Sequence, residues 1–257
     1  MHFPTIYIVR SALFGADFTL KFWLAIFALA LAIYDWRAEK RKDYLWVLGI
    51  GFLIWSGAEF FLQSLGIREM AARDFYGITL PAMLAIPLQG ISEGAALIIF
   101  GLFIGDRIGS KQTRLIGLSL FFALVALILG RVIFQTTPSA PVAASRRELF
   151  APLPIIFLTL VTFFDIFFWF KYPAFHKRVT WMVLSVFVVV TIWTIAQAMT
   201  GNRWIEVGVG EQYQVASTGL SVFAFSFDVI IEIILAYLPF FAIPVMGKKI
   251  GAELLSH

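Results

Sequence analysis

Residues 218–246, TGLSVFAFSFDVIIEIILAYLPFFAIPVM, form a long apolar run that contains only two charged residues, Asp228 and Glu232. A helix rises about 1.5 Å per residue, and about 20 apolar residues cross the hydrocarbon of a bilayer. The run is therefore long enough to span a membrane with a tilt, and Pro239 and Pro244 near its end provide a mechanism for a kink. This stretch decides the fold class in favour of membrane-spanning helices.

Six more apolar runs precede it in the chain. The seven predicted spans lie near residues 18–36, 44–66, 78–105, 115–134, 153–170, 180–200 and 218–246. Hydrophobic residues make up 60% of the chain and charged residues 14%, whereas a soluble domain carries about 25% charged residues. The sequence therefore predicts an all-α polytopic membrane protein, in which residues 1–257 form one transmembrane domain, a bundle of seven helices.

The basic residues predict the orientation of this bundle. Most of the 20 Lys and Arg residues follow the first, third, fifth and seventh spans: Arg37, Lys40, Arg41, Lys42, Arg107, Lys111, Arg114, Lys171, Lys177, Arg178, Lys248 and Lys249. Because cytoplasmic loops are enriched in Lys and Arg, this distribution predicts an external N-terminus and a cytoplasmic C-terminus. The basic residues are spread over many short segments, so they indicate orientation and no nucleic-acid partner. The expected location is the plasma (cytoplasmic) membrane, with membrane lipids as partners.

The composition narrows the chemistry. The chain has no Cys, which excludes disulfides, thiolate metal sites and thiol nucleophiles. His2 and His257 lie in the terminal segments and His176 lies in a basic loop, so no embedded imidazole is expected to bind a metal or haem, or to activate a serine. The sequence therefore predicts no cofactor.

Five acidic residues lie inside the predicted spans, where an ionisable side chain costs about 3 kcal/mol or more on insertion scales. They are Glu59, Glu93, Asp165, Asp228 and Glu232. Glu59 and Asp228 are expected nearer the outer face, Glu93 and Glu232 near the middle, and Asp165 deeper. Acids at several depths are typical of a proton or cation pathway, although carboxyls that hydrogen-bond between helices give the same pattern.

Asp228 and Glu232 are four residues apart, which places both on one face of the last helix. Like charges at that spacing repel in a low dielectric, so the pair is expected to share a proton, bind a cation or meet a basic partner. Arg131 is the only basic residue well inside an apolar run, and it is expected either to pair with Glu59 or Asp228 or to extend to the outer headgroups. The sequence thus predicts buried acids with almost no buried base to balance them.

The segment around Glu93 has the composition of a site. Its small and polar residues are Gln89, Gly90, Ser92 and Gly94. Gly and Ser allow helices to approach closely, and Pro87 leaves a backbone carbonyl without its helical donor, where a ligand or ion could bind. A tight helix crossing with a proline kink is the alternative interpretation. Gln89, Ser92 and Arg131 join the five acids as candidate substrate- or ion-binding residues.

Two outer connections are longer than the inner ones. They are residues 135–152, which are rich in proline, and residues 201–217, which glycine interrupts. Each is expected to be either a solvated connector or part of a cover over an outward-facing entrance.

The layout is similar to that of the microbial rhodopsins, which also have seven helices and an external N-terminus. DVIIE in the last span invites comparison with the Asp-x-x-x-Lys motif of that family, but Glu232 stands in place of the lysine. No span offers another lysine at mid-membrane depth. The resemblance therefore concerns topology alone and implies neither retinal nor family membership.

The leading hypothesis is a transporter or channel-like protein that moves a proton, cation or small solute through a carboxylate-lined cavity. Glu93, Asp228 and Glu232 would bind the ion, with Glu59 at the outer mouth and Asp165 below. The alternative is a membrane enzyme that acts on a lipid or isoprenoid, with the same carboxylates as acid, base or Mg²⁺ ligands. A third hypothesis is a sensory or scaffold bundle whose basic inner loops recruit a partner. The sequence leaves open whether the protein is an enzyme and whether it forms an oligomer.

Overall fold

A computed structural model of the protein describes residues 5–11, 17–133, 143–209 and 212–251, with backbone alone at residues 131–133, 209 and 232–234. The fold is mostly helical, at 72%. Seven apolar helices follow one another: α1 Phe18–Glu39, α2 Asp43–Ser64, α3 Ala82–Ile108, α4 Arg114–Ile133, α5 Pro152–Lys171, α6 His176–Met199 and α7 Thr218–Met246. Each of the seven predicted spans falls on one of these helices.

Six of the helices, all except α4, are long and apolar enough to cross a membrane. Their outer surface suits that environment, because large apolar side chains such as Leu53, Phe60, Leu160 and Phe163 are more than half exposed. An exposed apolar surface of this extent is unfavourable in water and favourable in lipid. The chain therefore has the architecture of an integral membrane protein.

The helix α1 begins where the sequence supplies a cap. The carboxylate of Asp17 accepts a hydrogen bond from the backbone N–H of Leu20 at 2.9 Å, which satisfies one of the unpaired donors of the first turn. The helix ends at Glu39 and is followed by the cap residue Lys40, whose φ of 56° lies in the left-handed region, and α2 begins at Asp43. The short connection makes α1 and α2 antiparallel neighbours.

A five-stranded antiparallel sheet covers one end of the bundle, which we call the sheet end. Its strand order is β2-β5-β1-β6-β7. The strands are β1 Thr5–Ser11, β2 Arg68–Met70, β5 Ala143–Glu148, β6 Arg203–Val209 and β7 Gln212–Val215, and a separate hairpin joins β3 Asp74–Phe75 to β4 Ile78–Thr79. They come from the residues before α1 and from the α2–α3, α4–α5 and α6–α7 connections, which meet at one end of an antiparallel bundle.

The sheet corrects the prediction that this end consists of connecting segments alone. The predicted connector 201–217 holds β6 and β7, and 135–152 holds β5. These strands are short, and sequences such as AASRRE in β5 lack the alternation of apolar and polar residues that predicts a half-buried strand. Their burial comes from lying over the bundle, where Ile8, Leu149, Ile205 and Ala224 form a small apolar core.

Two helices contain a π-helical segment where the apolar pattern alone predicts regular α-helix. The segments are Gly90–Ala95 in α3 and Phe227–Ile233 in α7. Segments of this kind are rare and frequently lie at functional sites. Here they contain three of the predicted site acids, Glu93, Asp228 and Glu232.

Small residues bring α3 against α2, which is the close helix crossing given above as the alternative interpretation of the segment around Glu93. A Cβ atom at Gly94 would lie 2.5 Å from the Cβ of Trp55, and one at Gly90 would lie 2.0 Å from the Oγ of Ser56. Neither position has room for a larger residue without movement of α2. The π-helical segment of α3 is thus held directly against the middle of α2.

Candidate functional site

Eight charged side chains beneath the sheet form what we call the sheet-end network. Its acids are Glu59, Glu93 and Asp228, and its bases are Arg10, Lys21, Arg68, Arg147 and Arg203. The acids lie on α2, α3 and α7. Four of the bases lie on strands, and Lys21 lies in the first turn of α1.

Glu93 is the centre of this network. Arg10 donates to its Oε1 at 3.0 Å and the Lys21 ammonium lies 3.3 Å from the same oxygen, while Arg68 lies 3.5 Å from Oε2. Gln89, one helical turn earlier, also donates to Oε2 at 3.4 Å. One carboxylate therefore has three cationic partners, which is more positive charge than it can neutralise.

Glu59 and Asp228 each have their own guanidinium partners. Arg68 donates to Glu59 at 2.8 Å, and Glu59 is only 1% exposed. Asp228 accepts from Arg147 at 2.8 Å and from Arg203, whose Nη1 also donates to the Thr194 hydroxyl. A buried ion pair of this kind persists only when its geometry and hydrogen bonds offset the cost of desolvation.

The register of the sheet explains how four arginines reach the bundle. Arg10 lies directly opposite Arg203, and Arg68 lies directly opposite Arg147, which in turn lies opposite Ile8. Residues directly opposite each other in antiparallel strands share a face, as do residues two apart in one strand. The four arginines therefore lie on the same face as Ile8, the face that packs on the helices.

Burial and nearby carboxylates have opposite effects on the pKa values of these arginines. Burial disfavours the charged form of Arg10, but the carboxylates of Glu93 and Asp228 outweigh that effect and raise the pKa of Arg10. Burial lowers the pKa of Arg203 to about 10, although the Asp228 carboxylate counteracts the shift. Both groups remain positively charged at neutral pH.

Several buried polar atoms of this region have no hydrogen-bond partner among the described residues. They are the Nε atoms of Arg68 and Arg203, the indole N–H of Trp55, the hydroxyl of Ser56 and the amide oxygen of Gln89. Trp55 is held in place because its ring stacks on Tyr237 with centroids 5.4 Å apart, and the Tyr237 hydroxyl donates to the backbone carbonyl of Glu93 at 2.5 Å. Buried polar groups normally have partners, so these atoms can still bind a ligand or water.

The structure brings together some of the predicted site residues and separates others. Glu59, Glu93, Asp228 and Gln89 belong to the network, and Ser92 lies beside it with its hydroxyl donating to the Gln89 carbonyl at 3.3 Å. The side chains of Arg131 and Glu232 lie outside the described residues. Asp165 is apart from the network: it is 6% exposed, and neither of its carboxylate oxygens has a hydrogen-bond partner in the described part of the chain.

The expectation of almost no buried base is wrong. Four of the five bases belong to segments outside the predicted spans, and strand formation carries them under the sheet, whereas Lys21 lies at the start of the first span. The basic partner of Glu59, for example, is Arg68, which is nine residues away in sequence. The signal that could have found them is the placement of an arginine in each outer connection, at Arg10, Arg68, Arg147 and Arg203.

A second cluster, the opposite-end network, closes the other end of the bundle. Asp106 accepts from Arg178 at 2.7 and 2.9 Å and from the Tyr44 hydroxyl at 3.0 Å. Arg178 also donates to Asp43 at 2.7 Å and to the Gly251 carbonyl at 3.0 Å.

Asp35 completes the opposite-end network, because it binds Arg41 at 3.1 Å and Arg107 at 3.2 Å. The cluster thereby ties together α1, α2, α3, α6 and the segment after α7. The sequence does not predict this cluster, because Arg41, Arg107 and Arg178 follow the first, third and fifth spans and have the pattern of an orientation signal.

Within the described part of the chain, the predicted residues form no second cluster. A surface groove of about 610 Å³ is lined by Ala30, Ile33, Tyr34, Arg37 and Ala38 of α1, and it contains none of the predicted site residues. Within the described ranges, no group of three or more His, Asp or Glu side chains is arranged to hold a metal ion.

A function for this protein has to be inferred from the geometry of its side chains, because comparison with known proteins finds no match. No protein-family model, curated protein or solved structure matches the chain.

Proposed function

We propose that the protein is a membrane transporter or channel-like protein, and that the sheet-end network is the site at which it binds a small solute on its way through the bundle. The observation that carries this proposal is the convergence of Arg10, Lys21 and Arg68 on one carboxylate, Glu93, inside an apolar bundle. Charges at such a depth are expensive and typically mark a substrate or ion pathway.

An apolar barrier separates the two charged networks. Ile98, Ile99 and Leu102 of α3 and Phe240 and Phe241 of α7 are each at most 1% exposed, and they lie between the sheet end and the opposite end. A charged solute that binds at Glu93 cannot pass this layer unless helices move. The arrangement suits a transporter that opens one end at a time, with the opposite-end network as the closed gate.

The π-helical segments are the elements best suited to such movement. An extra residue per turn weakens the regular hydrogen-bond ladder, so a shift between π- and α-helical winding changes the helix locally without unfolding it. Glu93 and Asp228 lie on these segments. A change in what binds the acids would therefore be coupled to the winding of α3 and α7.

The roles of the predicted residues follow from their contacts. Glu93 and Asp228 hold the bases in position, and Glu59 with Arg68 forms the outer edge of the site. The described carboxylates of the sheet-end network already have basic partners, which favours a small solute over a metal cation as cargo. Asp165 lies below the network without a partner among the described residues, and we assign it the binding of a proton.

The same proposal includes a topology of seven spans in the plasma membrane, with the sheet outside and the C-terminus in the cytoplasm. The helix α4 would be the seventh span. The arginines on the inner face of the sheet pair with buried acids, whereas Lys40, Lys111 and Lys248 at the opposite end are exposed. Exposed Lys and Arg residues near the ends of spans are the ones that favour the cytoplasmic side.

Flux measurements on the full chain in liposomes test the function. Rapid solution exchange would present K⁺, Na⁺, protons, chloride, phosphate, acetate, succinate and glycine in turn, with the current or internal pH recorded. We expect at least one probe to cross faster than in empty liposomes, and Glu93→Gln to slow that flux about tenfold or more, since it removes a charge-assisted contact.

Glu69→Gln is the matched control for this experiment. It makes the same substitution at an exposed acid of β2, next to Arg68 in sequence, and it should leave the flux unchanged. If the wild-type protein passes none of these probes, with the concentration gradient directed inward or outward, the proposed function is wrong.

A further inference from the structure

We infer that the sheet-end network binds an oxyanion, the carboxylate or phosphate group of its solute. This inference rests on the proposed function only for the claim that the bound anion crosses the membrane. The binding itself follows from the charge, the sheet register and the unpartnered donors of the network.

The balance of basic and acidic side chains in the network favours a bound anion. The network contains five bases and three described acids, and the carboxylate of Glu232 on the same π-helical segment would still leave the bases in excess. Among the described residues positive charge is therefore in excess, and such an excess in an apolar bundle is costly. A bound anion would neutralise it.

The register of the sheet places positively charged arginines side by side. Arg10 and Arg203 are directly opposite each other on β1 and β6, and Arg68 and Arg147 are directly opposite each other on β2 and β5. Like charges in this position destabilise a sheet. A row of guanidinium groups on one buried face is the arrangement that phosphate and carboxylate groups bind, because each guanidinium offers several donors in a plane.

Several buried N–H donors of this region have no hydrogen-bond partner among the described residues. The Nε of Arg68 and the Nε of Arg203 are buried, belong to residues only 6% and 2% exposed, and have no hydrogen-bond partner among the described residues. The indole N–H of Trp55, beside the π-helical segment of α3, is a third such donor. Buried N–H donors call for an acceptor, and an oxyanion supplies several at once.

Glu93 has a defined role in this arrangement. Its carboxylate already occupies the centre of the bases, so it competes with an incoming anion for Arg10, Lys21 and Arg68. A carboxylate between three cations is most stable as the anion, so an incoming oxyanion would have to displace Glu93 from those donors while Glu93 stays ionised.

Equilibrium binding to the detergent-purified full chain tests the inference. The midpoint of thermal unfolding would be recorded against increasing sodium phosphate, sodium acetate and sodium succinate at constant ionic strength, since a ligand that binds only the folded state raises the midpoint saturably. We expect saturable stabilisation by at least one oxyanion. The half-saturating concentration should rise about tenfold or more in Arg203→Gln and in Arg68→Gln, since each loses charge-assisted hydrogen bonds.

Arg146→Gln is the matched control. Arg146 precedes Arg147 in β5 but lies on the other face of the sheet, where it pairs with Glu206 at 2.7 Å and its guanidinium lies 4.4 Å from the centre of the Tyr213 ring. Its removal should leave the half-saturating concentration unchanged. Glu93→Gln should lower that concentration, because the competing internal carboxylate is lost.

Each outcome decides the inference. If Arg203→Gln fails to fold, Arg203→Lys takes its place, because it keeps the charge and loses the planar set of donors, and it too should bind more weakly. A parallel series in lipid nanodiscs containing phosphatidic acid distinguishes the source: stabilisation by that lipid alone would identify a lipid headgroup as the oxyanion. No saturable stabilisation by any of these probes, or equal stabilisation of wild type and Arg203→Gln, would overturn it.

The two proposals fail separately. If the protein binds an oxyanion in detergent but shows no flux in liposomes, the oxyanion site stands and the transport function is wrong. If a cation crosses the membrane but no oxyanion binds, the transport function stands and the oxyanion site is wrong.

Discussion

At the scale of single residues, the contrast between Asp228 and Asp165 is informative, because both are buried aspartates on apolar helices. Asp228 has two guanidinium partners, Arg147 and Arg203. Asp165 has no hydrogen-bond partner among the described residues. A buried carboxyl without a partner is most stable as the neutral acid, whereas one between guanidinium groups is most stable as the anion.

The same substitution should therefore have opposite consequences at the two positions. Asp228→Asn leaves Arg203 buried without its counter-charge and should lower the free energy of unfolding by about 3–5 kcal/mol. Asp165→Asn replaces a neutral acid by a neutral amide and should change it by less than about 1 kcal/mol. Thermal unfolding of the purified variants measures both, and a larger loss for Asp165→Asn would contradict the assignment of a neutral carboxyl.

At the scale of elements, the contact between α2 and α3 depends on glycine. A Cβ at Gly94 would lie 2.5 Å from the Cβ and 2.6 Å from the Cγ of Trp55. Gly94→Ala should therefore push α3 away from α2 and cost about 1–3 kcal/mol of stability through overpacking. The midpoint of thermal unfolding would show this loss.

Gly57 provides the control for that prediction. It lies two residues after Trp55 in α2, and a Cβ at this position would meet nothing within 4 Å. Gly57→Ala should raise stability by up to about 1 kcal/mol, because alanine favours the helix more than glycine does. Equal effects of the two substitutions would mean that the close approach of α2 and α3 does not determine stability.

The helices could be predicted from the sequence, and the sheet could not. A span such as 218–246 is specified by a local property, a long apolar run, and the helix Thr218–Met246 has the same bounds. The strands β2 and β5 are specified by what they cover, since residues such as Arg68 and Arg147 become buried only when the acids of α2 and α7 lie beneath them. The buried acids of the sheet-end network could therefore be named from the sequence, and their basic partners could not, because depth along a helix gives no information on connectors that fold back over the bundle.

At the scale of the whole molecule, the orientation of the bundle is directly testable because the chain has no Cys. A single cysteine at Gln214, exposed in β7, reports on the sheet end, and one at Lys111, exposed between α3 and α4, reports on the opposite end. In intact cells a membrane-impermeant maleimide should label Gln214→Cys. Lys111→Cys should react with it only after the cells are permeabilised. The reverse pattern would show that the sheet faces the cytoplasm.

The opposite-end network should control access to the interior from its side of the membrane. Asp106 joins Arg178 of α6 to Tyr44 of α2, and loss of its charge in Asp106→Asn should let those helices separate. A cysteine at Ile99, which is 0% exposed, should then react about tenfold faster with a water-soluble maleimide added at the opposite end, because opening raises the population of the accessible state.

Lys111→Gln removes a charge from the same end of the molecule without touching the opposite-end network, and it should leave the rate at Ile99→Cys unchanged. A variant Asp106→Asn that unfolds at a lower temperature but labels at the original rate would mean that these ion pairs only hold the helices together. A faster reaction confined to the opposite end, with the sheet end still closed, is the behaviour expected of a transporter that opens one side at a time.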